Sequence, residues 1–528
     1  MEEFLLMKFK HHFIIFSAIL LSFILLTACP KRNTGAVTMS LSEKFSGIDT
    51  LSNTQTDAAA DRVRNLIFNS LVKKNDNFEY VGDLAKDIKI GDDALTVTFN
   101  LQENVKFHNG KVFTSADAKY TLDALFATEK SAKAGAFFEL SADGKKVAHI
   151  EKIEVPDAKT LVIKVTRPAL VNQLLSNLVT IPMIPDGTIE QQKTAPIGSG
   201  PFKLVNFDQV NSFVQLEAFN EYWEGAPKIQ KLNVKTVTDA NALQAELQSG
   251  GVDLAPIPNN LSPDSINSLG QNANLKVEKF EGSNIDYIGF NTQSASVNNV
   301  KLRQGIAHAI NRDEIIKTLL RDQAKIAHSI IPPESWAYSE GTKYDYNPEK
   351  AKQLIQESGY KGEEITFKFA ANNLAVNFYT QAIQENLKTV GLNIKIETLP
   401  PDALRETLKT GQFQLNTGRW IGGNQDPIFY KDLFASTEFP DKKDGGRNRA
   451  RYNNAEFDKI VNEAIDITAK DKTKAKELYT KAQAMVSNDL PLFPLWYPAN
   501  IVISSKKLGN IKINASGDWS FVRNVTVN

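Results

Sequence analysis

Arg419 and Trp420 stand side by side in the run Thr417-Gly-Arg-Trp-Ile-Gly-Gly-Asn-Gln-Asp-Pro427. These residue types suit binding. An arginine presents a planar fork of N–H donors that pairs with an anionic group. An indole offers a flat apolar wall with one polar tip. The glycines around them let a backbone approach a ligand closely. Arg419, Trp420, Gly423 and Asn424 are therefore the candidate ligand-binding residues. The alternative for the same run is a glycine-rich surface turn with Trp420 in the core.

Residues fitted to break bonds are not gathered anywhere in the sequence. It has no phosphate-binding P-loop, no dinucleotide glycine fingerprint and no His-Glu-x-x-His. Gly-x-Ser-x-Gly is missing too. Gly198-Ser199-Gly200 lacks the lysine of a phosphate loop and leads into a strand pattern, so it reads as a turn. The histidines stand at 11, 12, 108, 149, 308 and 328, and only the first two are neighbours. His108, in Phe-His-Asn-Gly, reads as a turn residue. No catalytic residue, metal site or cofactor is expected.

With 61 basic and 61 acidic residues, the formal charge is zero. That excludes the basic footprint of a general nucleic-acid binder. The length of 528 residues exceeds one hydrophobic core and implies several substructures. The single cysteine, Cys29, rules out a disulfide within the chain. Its surroundings give it a use. Lys8 to His12 is a basic patch, and Phe13 to Leu26 is apolar apart from two serines, the pattern of a signal peptide over residues 1–28. Leu26-Thr27-Ala28-Cys29 then resembles a bacterial lipobox. The implied modification is a lipid on the Cys29 sulfur, after cleavage behind Ala28. Each buried methylene contributes about 0.8 kcal/mol, so two or more acyl chains hold a protein to a membrane where one does not. Residues 30–40 are polar, and 29–40 read as a lipidated flexible tether.

Helix and strand patterns alternate along the rest. Asp61–Val72 has helical spacing, with Val63, Leu66, Ile67 and Leu71 on one side. Leu95–Leu101 and Thr160–Val165 alternate with period two, as strands with one buried face do. Thr114 and Asp117 stand at capping-box spacing. Residues 238–249 predict a helix stopped by Gly250-Gly251. Further strands fall at 202–207, 213–218, 275–279 and 287–291. Helices fall near 300–310, 312–322, 348–357, 375–390, 402–410, 454–468 and 472–487. The pattern is α/β with lobes built from discontinuous segments.

Several of these blocks resemble the bacterial extracellular solute-binding proteins of family 5, the peptide and nickel class that serves ABC importers. The blocks are Gly82-Asp-Leu-Ala85 with Phe99-Asn-Leu-Gln-Glu-Asn-Val-Lys-Phe-His-Asn-Gly110 and Phe113-Thr-Ser-Ala-Asp117; Pro196-Ile-Gly-Ser-Gly-Pro-Phe202; Asn220-Glu-Tyr-Trp-Glu-Gly-Ala-Pro227; Gly289-Phe-Asn-Thr292 with Val300-Lys-Leu-Arg-Gln304 and Ala309-Ile-Asn-Arg312; and Asp489-Leu-Pro-Leu-Phe-Pro-Leu495. They occur in the family's order from about residue 45 to the C-terminus. Gln102 departs from the basic residue usual there.

The resemblance implies a two-lobed periplasmic-binding-protein type II fold with an additional domain. The first lobe would span 41–287, with the extra subdomain near 75–195. The second would span 288–498, and residues 499–528 would return to the first. Hinge residues would be Tyr287, Asn291, Thr292 and Trp496. The implied function is an extracytoplasmic lipoprotein, expected to be monomeric. It would capture an oligopeptide or similar small solute by closing on it, and present it to a permease complex. Peptide-binding members resemble Trp-x-x-Asp-x-x-Asp-Pro at the Trp420 run, and their first Asp pairs with the peptide's α-ammonium. That position here is Gly423. A buried ammonium without a counter-charge is costly, so another acid must replace it or the ligand must lack the group. Two alternatives from other classes are a sensory binding lipoprotein with a non-peptide ligand and a surface hydrolase.

Overall fold

The computed structural model describes residues 35–528, apart from positions 46, 50, 54–56, 129–130, 142–144, 372–373 and 444. The expected signal peptide and the Cys29 anchor lie outside the described residues.

Two large sheets organise the chain. The first has seven strands in the order Phe202–Asp208, Phe213–Ala218, Lys231–Thr236, Ala36–Leu41, Leu254–Pro256, Asn500–Ser505 and Leu275–Phe280. The second has six, in the order Ala324–Ile326, Leu492–Pro498, Ile285–Phe290, Leu415–Trp420, Ile365–Ala370 and Ile394–Leu399. A four-stranded antiparallel sheet, in the order Ala85–Ile90, Thr96–Leu101, Thr160–Val165 and Ile150–Asp157, shares the hydrophobic core of the first body.

Local chemistry explains the elements. Thr96–Leu101 and Thr160–Val165 each bury every second residue, as period-two patterns require. Asp117 accepts the Thr114 backbone N–H at 2.9 Å and so fixes the start of helix Ser115–Phe126. Helix Ala240–Ser249 begins at Asp239, whose carboxylate accepts from Ala242 N, and ends at Gly250 with φ 75°. The first amphipathic helix is Ala58–Ile67, a shorter element than its apolar spacing suggests. Phe68 is extended and caps it, leaving Leu71 buried beyond the end.

The turn at 196–201 packs on that helix end. A Cβ on Gly198 would lie 2.0 Å from the Ile67 carbonyl oxygen, so no side chain fits. His108 clasps the turn. Gly198 N–H donates to its Nδ1 at 3.3 Å, which leaves Nε2–H to donate to Gly200 O at 3.0 Å. Burial pushes the imidazole down to about 4, against the Gly200 bond, so it is neutral near pH 7.

Two sequence expectations need correction. Residues 36–40 are not tether. They form a strand in the interior of the seven-stranded sheet, paired in parallel with Lys231–Thr236. The outward chain crossing also lies elsewhere than expected. Strand Leu275–Phe280 belongs to the first sheet and Ile285–Phe290 to the second, so the outward crossing is residues 281–284. The return falls between Leu492–Pro498 and Asn500–Ser505. Tyr287 is inside the second sheet, and Trp496 is fully buried there. Asn291 donates to Gly411 O and Phe413 O, and Thr292 donates to Ala450 O and Arg451 O. Those bonds fasten the far end of one strand within the second body. They do not span a crossing.

The two crossing segments touch. A Cβ on Gly282 would stand 1.9 Å from the Pro498 carbonyl oxygen. Asn500 holds the same place by donating to Glu281 O at 3.0 Å and Asn514 O at 3.0 Å. Gly282→Ala should therefore lower stability by about 1–3 kcal/mol, the usual size of an overpacking penalty. Thermal melting of the variant beside the parent checks this, and an unchanged midpoint would contradict the packing.

Candidate functional site

Strand Ile285–Phe290 lies between Leu415–Trp420 and Leu492–Pro498, and its register sets the chemistry. Asp286 is opposite Arg419 on one side and Trp496 on the other. Its side chain is 1% exposed. A carboxylate so buried must be paired and hydrogen-bonded. Arg419 supplies Nε at 2.7 Å to one oxygen and Nη2 at 3.0 Å to the other. Trp496 Nε1 donates to the second oxygen at 2.8 Å. Burial works against the guanidinium's charge, but the Asp286 carboxylate outweighs it and raises the Arg419 pKa. Tyr379 packs edge-on against Trp496 at 5.0 Å and braces the group.

This triad forms one wall of a cavity of about 320 Å³. Gln323 and Pro498 continue that wall. The opposite wall comes from the first body, from Thr238–Ala240 and the loop Ile257–Pro263. Ligand pockets run from about 300 Å³ upward, so the space suits a small solute. Ile257 has φ 49°, a costly backbone for a β-branched residue. It is held there by its N–H to Ile501 O at 2.7 Å and by packing at Gly517. Strain of this kind clusters at ligand clamps. Asn260 donates Nδ2 to Val237 O at 3.0 Å and Thr238 O at 3.1 Å, while its buried Oδ1 has no partner.

The residues named from sequence are dispersed. Arg419 lines the cavity, but Asp286 already holds its fork, so it is not an unoccupied anion site. Trp420 faces the other side of the sheet. It stacks on Tyr287 at 6.1 Å, meets Phe429 edge-on at 5.2 Å and carries the Arg449 guanidinium at 5.2 Å. Its half-buried ring is packed in the second body, and it is not among the cavity residues. Gly423 opens the short 3-10 turn Gly423–Gln425, which also contains Asn424. A Cβ on Gly423 would be 3.1 Å from the Phe429 ring, a tight contact that asks the ring to give by a few tenths of an ångström.

Asp426, read from sequence as a turn residue, does accept Ile428 N at 3.0 Å. It also reaches the first body, accepting from Tyr80 OH and Asn172 Nδ2. Lys74 donates to Gln425 beside it at 3.1 Å. Sequence reading missed Asp286. The available signal was an acid inside the apolar run Ile285-Asp-Tyr-Ile-Gly-Phe290.

A family model described as bacterial extracellular solute-binding proteins, family 5 middle, matches residues 79–441. The chain belongs to this family. Among curated relatives, heme-binding protein A of Haemophilus influenzae is 29% identical, over 81% of each chain. Oligopeptide-binding protein AppA of Bacillus subtilis is 27% identical, over 88% of this chain and 86% of its own. The structure of the ABC transporter substrate-binding protein CtaP from Listeria monocytogenes superposes with a TM-score of 0.81, at 22% identity, over 94% of this chain and 100% of that one. The architecture is thus the mixed α/β, two-lobed fold of family 5 periplasmic binding proteins.

Asp286→Asn leaves Arg419 partly buried without its counter-charge. Removing one member of a buried pair costs about 3–5 kcal/mol, whereas replacing both members by apolar residues costs far less. Thermal denaturation of Asp286→Asn should show a large loss, and the double variant Asp286→Leu with Arg419→Met a smaller one. Equal losses would contradict the pairing.

Proposed function

We propose that this chain is the extracytoplasmic substrate-binding lipoprotein of an ABC importer. It captures a peptide or similar small solute between its two lobes and presents the closed form to a permease. The observation that carries this reading is the cavity whose walls come from both bodies beside the chain crossing. A ligand there gains contacts on both sides only when the lobes approach. That differential is what lets a ligand drive closure. A micromolar ligand needs only about −8 kcal/mol.

Residues 281–284 and 498–500 form the hinge. They are two adjacent strand connections, and a few residues in such places absorb domain rotation. Tyr287, Asn291, Thr292 and Trp496 stiffen the second lobe beside it. Arg419 contacts ligand through the donors that Asp286 leaves over. Trp420, Gly423 and Asn424 shape the loop that follows, which swings with the second lobe. The lipid on Cys29 keeps the protein at the membrane, close to its permease. The names of the relatives, heme-binding and oligopeptide-binding, support a solute receptor.

Two measurements test this. Saturating ligand at a hundredfold over Kd adds about 2.7 kcal/mol to stability. A pool of peptides two to five residues long should therefore raise the melting midpoint by several degrees. No rise with any peptide, and none with the molecules that co-purify with the protein, would remove the reading. For the anchor, Cys29→Ser should move the protein from the membrane fraction to the soluble one; unchanged retention would contradict lipidation.

A further inference from the structure

The chain enters the first sheet at Ala36, and that point fixes which end of the lobe can meet a membrane. Cys29 and Ala36 are seven residue steps apart. Seven steps of fully extended chain span at most about 25 Å. Ala36–Leu41 is an interior strand, bonded to Lys231–Thr236 on one side and to Leu254–Pro256 on the other, so its start is held fast. However the body turns, a lipid on Cys29 keeps this end of the sheet within that reach of the bilayer.

Strand direction decides what else lies there. Lys231 is the register partner of Ala36. Lys228 stands just before it, with its N–H donating to Arg523 O at 3.1 Å. Leu254 pairs with Met39 in the parallel sense and with Ser504 in the antiparallel sense, so strand Asn500–Ser505 finishes at the end where Ala36 begins. Lys506 and Lys507 follow at once, and Lys506 N–H donates to Asn274 O at 2.9 Å. The opposite end of the same sheet carries the seam, where Phe280 pairs with Asn500. The anchored end is thus the one remote from the second lobe's connections.

The charge at this end is one-sided. Lys228, Lys231, Lys506 and Lys507 are all exposed, and none of them is in an ion pair among the described residues. Glu217 stands in register between Lys203 and Lys231 and offsets the first of them. Glu221 is paired with Lys106, and Glu224 with Arg523. Asp253 is buried and accepts the Thr38 N–H at 3.0 Å. The connecting run 30–35 adds Lys31 and Arg32 and no acid. All this falls in a chain whose formal charge is zero. A cation is drawn to an anionic lipid surface only within about a Debye length, roughly 8–10 Å at ordinary salt. An anchor at Cys29 supplies that proximity to these lysines.

We infer that the anchored end of the first lobe is a membrane-docking face, on which Lys228, Lys231, Lys506 and Lys507 rest on anionic phospholipid headgroups. The lipid sets the distance and the lysines set the orientation. The first lobe lies on the bilayer, and the seam faces away from it. This inference rests on the lipid at Cys29 proposed above and adds the protein's orientation to it.

The test uses the full lipidated chain in vesicles of phosphatidylcholine alone and of an equal mixture with phosphatidylglycerol. Lysines are acetylated with a membrane-impermeant reagent and read by mass spectrometry. Each of the four should label roughly fivefold more slowly on the acidic vesicles, the ratio that one lysine's attraction to such a surface gives. Lys44, exposed beyond the far end of strand Ala36–Leu41, should label alike on both. High salt should erase the difference, because screening shortens the reach. A second measurement needs no lipid on the protein. The mature chain carrying Cys29→Ser should float with acidic vesicles and not with neutral ones. Adding Lys228→Gln, Lys231→Gln, Lys506→Gln and Lys507→Gln should leave its melting unchanged and weaken that binding about a hundredfold or more. Equal labelling on both vesicles overturns the inference and leaves the anchor and solute binding standing. Protection that appears only when the permease complex is added assigns the lysines to that protein and overturns the inference as well. Protein that the vesicles do not hold, with Cys29 bearing no lipid by mass spectrometry, removes the anchor and the inference together.

Discussion

An aspartate with 1% of its side chain exposed, inside a strand whose other residues are also buried, has few ways to exist. It must be paired and hydrogen-bonded on both oxygens, because an isolated buried carboxylate costs more than a domain's margin of stability. Asp286 meets this by bonding across both neighbouring strands, to Arg419 and to Trp496. Three strands of the second sheet are thereby locked in one register, immediately after the chain enters that sheet. The arrangement around the cavity depends on it. Were Arg419 free to swing, the wall facing the first lobe would lose its shape.

The same lock explains where the second body is rigid. Beyond residue 285 the second lobe is held by the triad, by Tyr379 against Trp496, and by the bonds of Asn291 and Thr292. The first sheet is completed by the returning strand Asn500–Ser505, which joins Leu254–Pro256 to Leu275–Phe280. The crossing segments between them touch where Gly282 meets Pro498, and Asn500 bonds across to Glu281. Small residues and close backbone contact mark that seam, which is where we propose the hinge. The strained Ile257 and Asn260, whose buried Oδ1 has no partner, both line the cavity.

Much of the fold was legible because its signals are local. The alternation at Thr96–Leu101, the capping pair Thr114 and Asp117, and the stop at Gly250 each follow from a few adjacent residues. The site was less legible because it is assembled from loops far apart in sequence. Arg419 and Trp420 are neighbours in the chain, yet successive strand residues face opposite sides of the sheet. One therefore reaches the cavity and the other packs on Tyr287 and Phe429. Asn260 carries no sequence signal at all, since its orphan oxygen exists only through the bonds of its amino group to Val237 and Thr238. The crossing was misplaced by a few residues for a related reason. Strand Ile285–Phe290 is buried on both faces, so neither alternation nor polarity marks where the chain leaves the first sheet.

On the proposed function, the two bodies close on a solute between them. Small-angle X-ray scattering of the protein, first stripped of ligand and then saturated with the molecule that co-purifies with it, tests this directly. The account predicts a smaller radius of gyration in the loaded state. Identical scattering profiles from demonstrably empty and loaded protein would contradict it.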